Sequence, residues 1–180
     1  DALDVHLMLE LASGSEDAFR GLIERHEGAL LNLFRRLGAD QDEAEDVAQD
    51  TFLRLFGYRE RYRPEARFRT FLFTVARHAW LDYCRKRERW RRSDGQIPEE
   101  ELAQASCRVS TSERMDLEAA LGRLPPAHRM VLVLSAYEGL GYAEIGRIMG
   151  IPEGTVKSRV FHGLRKLRKE LGADVELAPR

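Results

Sequence analysis

The sequence predicts an all-α protein built from two small helical domains, and three observations support this prediction. Apolar residues recur at spacings of three and four along nearly every patterned stretch, which is the period of an amphipathic helix. No stretch shows the alternation of apolar and polar residues that marks a half-buried strand. Between Ser93 and Ser112 the helical pattern gives way to Gly95, Pro98 and a cluster of serine and threonine, which predicts a flexible linker. The expected segments are a domain at 1–92, the linker at 93–112 and a second domain at 113–180.

Composition and length limit the classes of protein to which the chain can belong. The chain has 180 residues, 43% of them hydrophobic, which is enough for two modest cores and excludes wholesale disorder. No apolar run approaches the ~18 residues that cross a bilayer, and the stretch from Asp1 to Glu10 is too acidic for a secretory signal. We therefore expect a cytoplasmic protein with no membrane insertion. The two cysteines, Cys84 and Cys107, lie far apart, which predicts reduced thiols and neither a disulfide framework nor a zinc module.

Three helices are predicted in the first domain. Gly14 and Ser15 precede a stretch whose apolar positions share one helical face, and Gly38 supplies its natural end. A second helix follows the polar turn at Asp40, and a third starts near Phe68. The predicted buried residues are Phe19, Leu22, Ile23, His26, Leu30, Leu33, Phe34 and Leu37 in the first helix, Ala44, Val47, Ala48, Thr51, Phe52 and Leu55 in the second, and Phe68, Phe71, Leu72, Val75 and Ala79 in the third.

The second domain is predicted to hold four helices. The first runs from about Ser112 to Leu124, and the following Pro125-Pro126 pair ends it and starts the next, because proline suits the first turn of a helix. That next helix carries the apolar run from Met130 to Leu134 and ends at Gly139. Two more short helices complete the domain.

The strongest pattern is a helix-turn-helix between Tyr142 and Leu171. A short helix from Tyr142 to Met149 is closed by a tight turn at Gly150, and a second helix follows. The second helix would bury Val156, Val160, Leu164, Leu167 and Leu171 and would expose Thr155, Ser158, His162, Arg165 and Lys169, flanked by Lys157, Phe161 and Arg168. Polar groups near its start suit base edges and cations further along suit phosphates, so the pattern indicates DNA recognition. An ordinary amphipathic helix with a solvated basic face is the alternative interpretation.

Charge is distributed unevenly along the chain, although its net value is −1. From Asp1 to Gly57 there are 13 acidic and five basic residues, a balance of −8. From Tyr58 to Arg92 there are 12 basic and four acidic residues, a balance of +8, and Thr155 to Lys169 adds six bases and no acid. Two basic zones on an otherwise acidic chain indicate two contacts with a polyanion.

Aromatic and basic residues are interleaved from Tyr58 to Arg92. Aromatic rings offer stacking surfaces for unpaired bases, worth ~1–3 kcal/mol each, while cations follow the phosphate backbone. Tyr62, Trp80 and Trp90 are expected to lie off the buried stripe and to be available for such contacts. A core helix with a basic solvent face is the competing interpretation.

The helix that starts near Asp42 carries a different surface. Asp46, Gln49, Asp50 and Leu53 share the face opposite its buried residues. Acids beside an exposed leucine do not suit DNA, and they favour docking onto a basic, partly apolar protein surface. Acidic helix faces are also commonly just solvated, so this pattern alone does not decide between the two.

Taken together, these patterns resemble the extracytoplasmic-function (ECF) sigma factors of the sigma-70 family of bacterial RNA polymerase. Residues 42–56, DEAEDVAQDTFLRLF, are similar to the family's region 2.2, and residues 67–83 are similar to its regions 2.3 and 2.4. The stretches that resemble region 4 are 124–129, 138–145 and 154–160. The resemblance covers nearly the whole chain in order, without the larger middle domain of housekeeping sigma factors.

The resemblance implies a function and a set of site residues. Such a factor binds core RNA polymerase, directs promoter-specific initiation and is masked by an anti-sigma partner until a signal arrives. The implied polymerase-binding residues are Asp46, Gln49, Asp50, Leu53 and Phe56. The implied −10 residues are Tyr62, Arg63, Arg67, Arg69, His78, Trp80, Arg85 and Lys86, with the loop from Tyr62 to Arg67 capturing a flipped base. The implied −35 residues are Tyr142, Thr155, Lys157, Ser158, Phe161, His162 and Arg165. His78 replaces a frequent asparagine and His162 a frequent arginine, so the resemblance does not carry over base preferences at these two positions.

Two other classes of protein share parts of this pattern. A helix-turn-helix regulator with an N-terminal sensing or dimerisation domain would explain Tyr142 to Leu171, but neither the acidic helix nor the basic aromatic segment. A metal-dependent helical enzyme would need clustered ligands, whereas the five histidines are scattered. The sequence contains no GxGxxG, HExxH or nucleophile elbow, so we expect no catalysis, no cofactor and no metal.

Overall fold

A computed structural model confirms the all-α prediction. It describes residues 1–93 and 112–171, with side chains for 1–90 and 117–171, and these residues form eight α-helices and one 3-10 turn without any strand. The helices are α1 (Ala2–Ala12), α2 (Glu16–Leu37), α3 (Gln41–Tyr58), α4 (Phe68–Ser93), α5 (Ser112–Gly122), α6 (Pro126–Ala136), α7 (Tyr142–Met149) and α8 (Glu153–Leu171), and the 3-10 turn is Arg59–Arg61. Within the described residues, no helix is both long and apolar enough to span a membrane.

The boundaries of α2 and α3 follow from their caps. The hydroxyl of Ser15 accepts a hydrogen bond from the backbone N–H of Ala18 at 3.2 Å, and Gly38 ends α2 in the left-handed conformation with φ 105°. Asp40 and Glu43 form a capping box at the start of α3, each carboxylate accepting the other residue's backbone N–H at 2.9 Å. Both caps depend on residues that can be recognised in the sequence, and the predicted start of each helix is confirmed.

Helix α1 is an element that the sequence pattern did not predict. Its buried residues are Asp4, Met8 and Leu11, at spacings of four and three. Because a charged residue occupies the first of these positions, the apolar stripe is too short to be recognised by its period. Helix α1 packs on α2 and completes the core of the N-terminal half, residues 1–93.

The C-terminal half, residues 112–171, packs around α6. Val131, Val133 and Leu134 of α6 are fully buried, and α8 lies against this helix. Two glycines permit close approaches here: a Cβ on Gly146 would meet the carbonyl oxygen of Ile151 at 2.9 Å, and one on Gly163 would meet Leu132 at 2.8 Å. The turn and both helices of the predicted helix-turn-helix are confirmed, with Gly150 at φ 66° closing α7.

The two halves are in contact with each other. Helix α2 packs on α5 and α6, and α4 packs on α7. The buried guanidinium of Arg129 donates to the carbonyl of Leu37 in the N-terminal half at 2.8 Å, and also to the carbonyls of Gly122 and Leu124 in its own half. The sequence predicted two modules but not this contact. Apart from its two ends, the predicted linker at 93–112 lies outside the described residues, and the predicted domain boundaries stay predictions.

Candidate nucleic-acid and protein interfaces

The outward face of α8 has the composition that the helical wheel predicts. Lys157, Ser158, Phe161, His162 and Arg165 are all exposed. The rings of Phe161 and His162 make an edge contact, with centroids 5.5 Å apart. Two other predicted −35 residues, Tyr142 at the start of α7 and Thr155 in the first turn of α8, are half-buried. The outward face of α8 is therefore basic and partly aromatic.

Aliphatic packing holds α8 in place. Val156, Val160 and Leu167 are buried as predicted, and the buried Gly163 allows α8 to approach Leu132 of α6. The other two predicted core residues, Leu164 and Leu171, are half-buried against the same core. This close packing holds α8 against α6.

Positive charge around α8 affects a neighbouring histidine. Burial lowers the pKa of His128 below its ordinary value, and the nearby cations Arg159, His162 and Lys166 lower it further. A neutral His128 adds no charge of its own under α8. Arg159 and Lys166 beside it carry positive charge, and a surface with such charges favours polyanions.

The acidic face of α3, consisting of Asp46, Gln49, Asp50 and Leu53, faces solvent. Leu53 is 61% exposed, and Asp46 and Gln49 are exposed as well. Asp50 is half-buried, because its carboxylate accepts a hydrogen bond from Arg54 at 2.9 Å. An exposed leucine among acids on one helix face is the arrangement that the sequence predicts for protein docking.

Phe56 lies at the end of this face and is partly covered. Its ring packs on that of Phe19, with centroids 5.3 Å apart, and the guanidinium of Arg59 lies 4.1 Å above it.

Arg54 links the acidic face of α3 to α4. Besides its ion pair with Asp50, it forms a second ion pair by donating a hydrogen bond to Asp82 of α4 at 2.7 Å. The acidic face of α3 is therefore connected to the basic helix α4 by an ion pair.

Most of the basic residues predicted for the −10 element lie at the surface. Arg63, Arg67, His78, Arg85 and Lys86 are exposed, and Arg69 is half-buried. Several of these cations already have acidic partners. Arg85 pairs with Asp82 at 3.1 Å, and Arg67 and Arg69 pair with two glutamates of the C-terminal half, Glu144 at 3.6 Å and Glu138 at 2.9 Å.

The prediction that Tyr62 and Trp80 lie off the buried face is wrong. Tyr62 is 5% exposed and packs on Phe71, and Trp80 is 9% exposed and stacked on Phe34 of α2, with centroids 5.9 Å apart. A helical wheel with one buried stripe misplaces Trp80, because α4 packs on α3 as well as on α7. Tyr62 lies before α4, directly after the 3-10 turn, and its ring is buried because the chain there folds back onto Phe68 and Phe71. Trp90 is 68% exposed as predicted, with the ammonium of Lys86 lying 5.6 Å from its ring.

A buried polar cluster beneath the start of α4 was not found from the sequence. The carboxylate of Asp4 accepts hydrogen bonds from Arg25 at 2.7 Å and shares one with His26 at 3.0 Å, and the His26 ring packs on Phe68. Burial alone would raise the pKa of Asp4, but these hydrogen bonds outweigh it and lower the pKa to about 2. Burial lowers the pKa of His26, and the hydrogen bond and negative charge of Asp4 oppose this decrease. Only His26 carried a sequence signal, as a polar residue in an apolar stripe.

Among the described residues we find no reactive thiol and no cluster of metal ligands beside these surfaces. Burial raises the pKa of Cys84 to about 11, so its thiol stays protonated at neutral pH, and Cys107 lies outside the described residues. No group of three histidine, cysteine or carboxylate ligands occurs among the residues that the structure describes.

Comparisons with known proteins match two regions of the chain to two family models. Residues 22–90 match the family model for sigma-70 region 2, and residues 114–167 match that for sigma-70 region 4. The chain is 35% identical to the ECF RNA polymerase sigma factor SigE of Mycolicibacterium smegmatis, over 83% of this chain and 60% of that protein. It is 36% identical to the RNA polymerase sigma factor CarQ of Myxococcus xanthus, over 92% of this chain and 95% of that protein.

A solved structure gives the same result. The sigma factor RpoE from Bartonella quintana, crystallised with the anti-sigma factor NepR, superposes with a TM-score of 0.73 at 26% identity, covering 87% of this chain and 98% of that one. The chain belongs to the sigma-70 family. Within that family it is a sigma factor of the ECF type, the class that directs promoter-specific initiation of transcription. A regulator with an unrelated N-terminal domain is excluded, because residues 22–90 match region 2.

Proposed function

We propose that this chain binds bacterial core RNA polymerase through the acidic face of α3 and recognises promoter DNA through α4 and α8. The observation that carries the proposal is the contrast between two exposed helix faces. Helix α3 exposes acids around Leu53, while α8 exposes cations around Phe161. The first composition suits a basic protein surface and repels DNA, and the second suits DNA. The polymerase performs the chemistry, so the chain itself would need no catalytic group, metal or cofactor, and it would act in the bacterial cytoplasm.

Helix α8 would recognise the −35 element as duplex DNA. The N-terminal turns of a recognition helix approach base edges in the major groove. Ser158 and His162 are exposed donors or acceptors for such edges, and Lys157 and Arg165 can neutralise phosphates on either side. The half-buried Tyr142 and Thr155 would contact the backbone at the rim of this surface.

The region around α4 would open and bind the −10 element. Opening a base pair and flipping a base cost a few kcal/mol, which stacking and phosphate contacts must offset. Exposed cations at Arg63, Arg85 and Lys86 can bind phosphates, and Trp90 offers an uncovered ring. The buried rings of Tyr62 and Trp80 could stack on a base only after the surrounding core rearranges, so the proposal rests on the exposed residues.

An anti-sigma factor is the expected regulatory partner. The Bartonella relative was crystallised with such a factor, NepR. We extend this partnership to the present chain because its exposed apolar and charged surfaces need a cover when transcription is off. The residues that such a partner would contact are not assigned.

The first test is binding to core polymerase without DNA. The purified chain should comigrate with bacterial core RNA polymerase on a sizing column. The Asp46→Arg variant should bind at least about tenfold more weakly, because it places a cation against a basic partner surface. Asp17→Arg is the matched control, since Asp17 is an exposed carboxylate on α2 that is not part of the acidic face of α3. Equal affinity of the Asp46→Arg variant and the wild type would contradict the docking assignment.

A further inference from the structure

The loop of residues 62–67 connects the 3-10 turn to α4 and carries Arg63 and Arg67, two of the residues that we propose for the −10 element. We call it the 62–67 loop. A cleft open to solvent lies beside it and is lined by Tyr58, Arg61, Tyr62, Arg63, Glu65 and Phe71. Aromatic rings and guanidinium groups are the partners on which unpaired bases stack. The capture of a flipped base therefore depends on the conformation of this loop.

The 62–67 loop has few hydrogen bonds of its own that could fix its shape. The backbone N–H of Glu65 donates to the carbonyl of Arg63 at 2.8 Å, and the guanidinium of Arg63 donates to the carbonyl of Tyr62 at 2.9 Å. A segment without regular secondary structure takes its conformation from the way in which its two ends are anchored. Residues that hold the two ends therefore also hold the loop.

Three aromatic rings anchor the two ends of the loop to each other. Tyr62 at its start and Phe68, which directly follows it, meet edge to face with centroids 6.3 Å apart. Both rings also pack on Phe71, with centroid distances of 5.1 Å from Tyr62 and 6.3 Å from Phe68. Phe68 is completely buried. Its position consequently determines where both ends of the loop lie.

The orientation of Phe68 is supported by His26 of α2 and Asp4 of α1. The His26 ring packs on Phe68 with centroids 5.2 Å apart, and its Nε2 lies 3.0 Å from the carboxylate of Asp4. Asp4, whose pKa is lowered to about 2, is ionised at neutral pH, and an ionised carboxylate only accepts hydrogen bonds. Nε2 of His26 therefore carries the hydrogen and donates it to Asp4. The imidazole cannot turn against Phe68 without breaking this bond.

Packing alone does not explain a polar pair at this place. Asp4 is 2% exposed and His26 is 7% exposed, and such groups are costly to bury unless they are hydrogen-bonded. Apolar side chains could fill the same space without that cost. A hydrogen bond is directional, however, and fixes the angle of a ring that apolar contacts alone leave free to rotate. The pair therefore supplies orientation at Phe68 in addition to packing.

Helix α1 also supports the start of the loop. It packs on the 3-10 turn Arg59–Arg61, which Tyr62 directly follows. Burial raises the pKa of Tyr62, and the negative charge of Asp4 raises it further, so the carboxylate acts on this ring as well as on His26. Asp4 thus lies beneath both ends of the 62–67 loop.

We propose that Asp4 and His26 are positioning residues for −10 recognition, which act through Phe68 to hold the 62–67 loop in the conformation that captures a flipped base. Both side chains are buried, so neither would contact DNA itself. The inference rests on the proposed function in one respect, the capture of a base of the −10 element by this loop. Arg25 is outside the proposal: it donates to the same carboxylate at 2.7 Å, but the ring that packs on Phe68 belongs to His26.

The test compares two DNA probes bound by the holoenzyme, assembled from the full chain and bacterial core RNA polymerase, with core polymerase alone as the blank. One probe is a labelled single strand of about 20 nucleotides of mixed sequence, and the other is a strand of the same length without bases. Fluorescence anisotropy gives the Kd of each probe. The ratio of the two Kd values reports base contacts, because both probes have the same phosphates. A loss of folded protein weakens both probes equally and leaves the ratio unchanged.

Two variants interrupt the proposed path at different points. Asp4→Asn removes the charge that orients His26. His26→Gln keeps an N–H that can pair with the buried carboxylate but lacks the ring on Phe68, so it tests the proposal even where Asp4→Asn unfolds. Arg25→Ala is the matched control, because it removes a hydrogen bond from the same carboxylate and leaves His26 in place. We expect Asp4→Asn and His26→Gln to lower the preference for the strand with bases about tenfold, as for the loss of one stacked base, and Arg25→Ala to retain it.

The possible outcomes separate the positioning role from the proposed function. A wild-type preference retained by His26→Gln would overturn the positioning role. An equal loss of preference in Arg25→Ala would also overturn it, since the effect would then come from the stability of the whole cluster and not from the path through His26. A wild-type holoenzyme that binds both probes equally would instead contradict the proposed base capture itself, and the positioning role with it.

Discussion

Helices α4 and α8 are both long and basic, and we propose that both bind DNA, but their cations differ in the partners that they have. On α8, Lys157 and Arg165 form no ion pair within the described part of the chain. On and before α4, Arg67, Arg69 and Arg85 are all paired with carboxylates. These two cations of α8 therefore have no carboxylate to release among the described residues, whereas the three arginines would have to exchange a carboxylate for a phosphate.

The two helices also differ in what supports them. Helix α8 rests on aliphatic side chains and on glycines that permit close approach. The start of α4 rests on Phe68, which packs against the ring of His26. His26 is hydrogen-bonded to the buried carboxylate of Asp4, which also accepts a hydrogen bond from the exposed Arg25. Aliphatic packing does not titrate, and a buried carboxylate does. The difference predicts that steric changes act most strongly on the C-terminal half and acid on the N-terminal half.

The largest effect is expected from Gly146→Ala, which disrupts the support of α8. The new Cβ would lie 2.9 Å from the carbonyl oxygen of Ile151, so the backbone of the turn must shift, at a cost of about 2–3 kcal/mol in the free energy of unfolding. Gly154→Ala is the control, because Gly154 has open space around it and alanine favours a helix. Urea unfolding measures both, and equal stability of the two variants would contradict the close approach.

Acid should weaken the support of α4. The pKa of Asp4 is about 2 in the folded chain against an ordinary 3.8, so its contribution is fully present above about pH 4 and is lost as the pH falls towards 2. The contribution amounts to about 2 kcal/mol. Urea unfolding at pH 5 and pH 2.5 should show this loss in the wild type and a smaller one in Asp4→Asn. Asp17→Asn, at an exposed carboxylate, should behave like the wild type.

A smaller effect is expected in the salt dependence of DNA binding, which should differ between the cations of α8 and those of α4. Arg165→Ala should lower the slope of log K against log salt by about 1 for binding to mixed-sequence duplex DNA, because one phosphate contact is lost. Arg69→Ala should change that slope little in the free chain, since Arg69 is engaged with Glu138. A fluorescence titration at several salt concentrations measures both, with Arg20→Ala as the control. Identical slopes for Arg165→Ala and Arg69→Ala would contradict the distinction between Arg165 of α8, which is unpaired among the described residues, and the paired Arg69 of α4.

The smallest effect is expected at the link between α3 and α4. Asp82 accepts hydrogen bonds from Arg54 at 2.7 Å and from Arg85 at 3.1 Å, and Arg54 with Arg85 lowers the pKa of its carboxyl. Because the carboxylate is about half exposed, Asp82→Asn should cost less than about 1 kcal/mol of stability. It also frees Arg85, so phosphate binding at α4 should not weaken. Thermal unfolding of Asp82→Asn measures the change in stability, and a DNA titration of the same variant measures phosphate binding.

The sequence predicted most of the helices and the whole helix-turn-helix, because the information is local. Ser15, Asp40 and Gly150 act through their own turns, and the apolar stripe of α8 repeats over five turns. It missed α1, where Asp4 interrupts a stripe of only three buried positions. It also misplaced Tyr62 and Trp80, because the burial of a ring depends on every element that packs around it and not on the local sequence alone.

Sequence by itself determined the helical class, the two halves, the acidic face of α3 and the basic face of α8. These properties follow from period, capping and charge, which neighbouring residues specify. Tertiary structure alone decided that Asp4 meets His26 across 22 positions, that Arg129 reaches Leu37 across 92, and that Glu138 pairs with Arg69 across 69. Such pairings join residues far apart in the chain, and no local rule specifies them, because each depends on how all the helices pack.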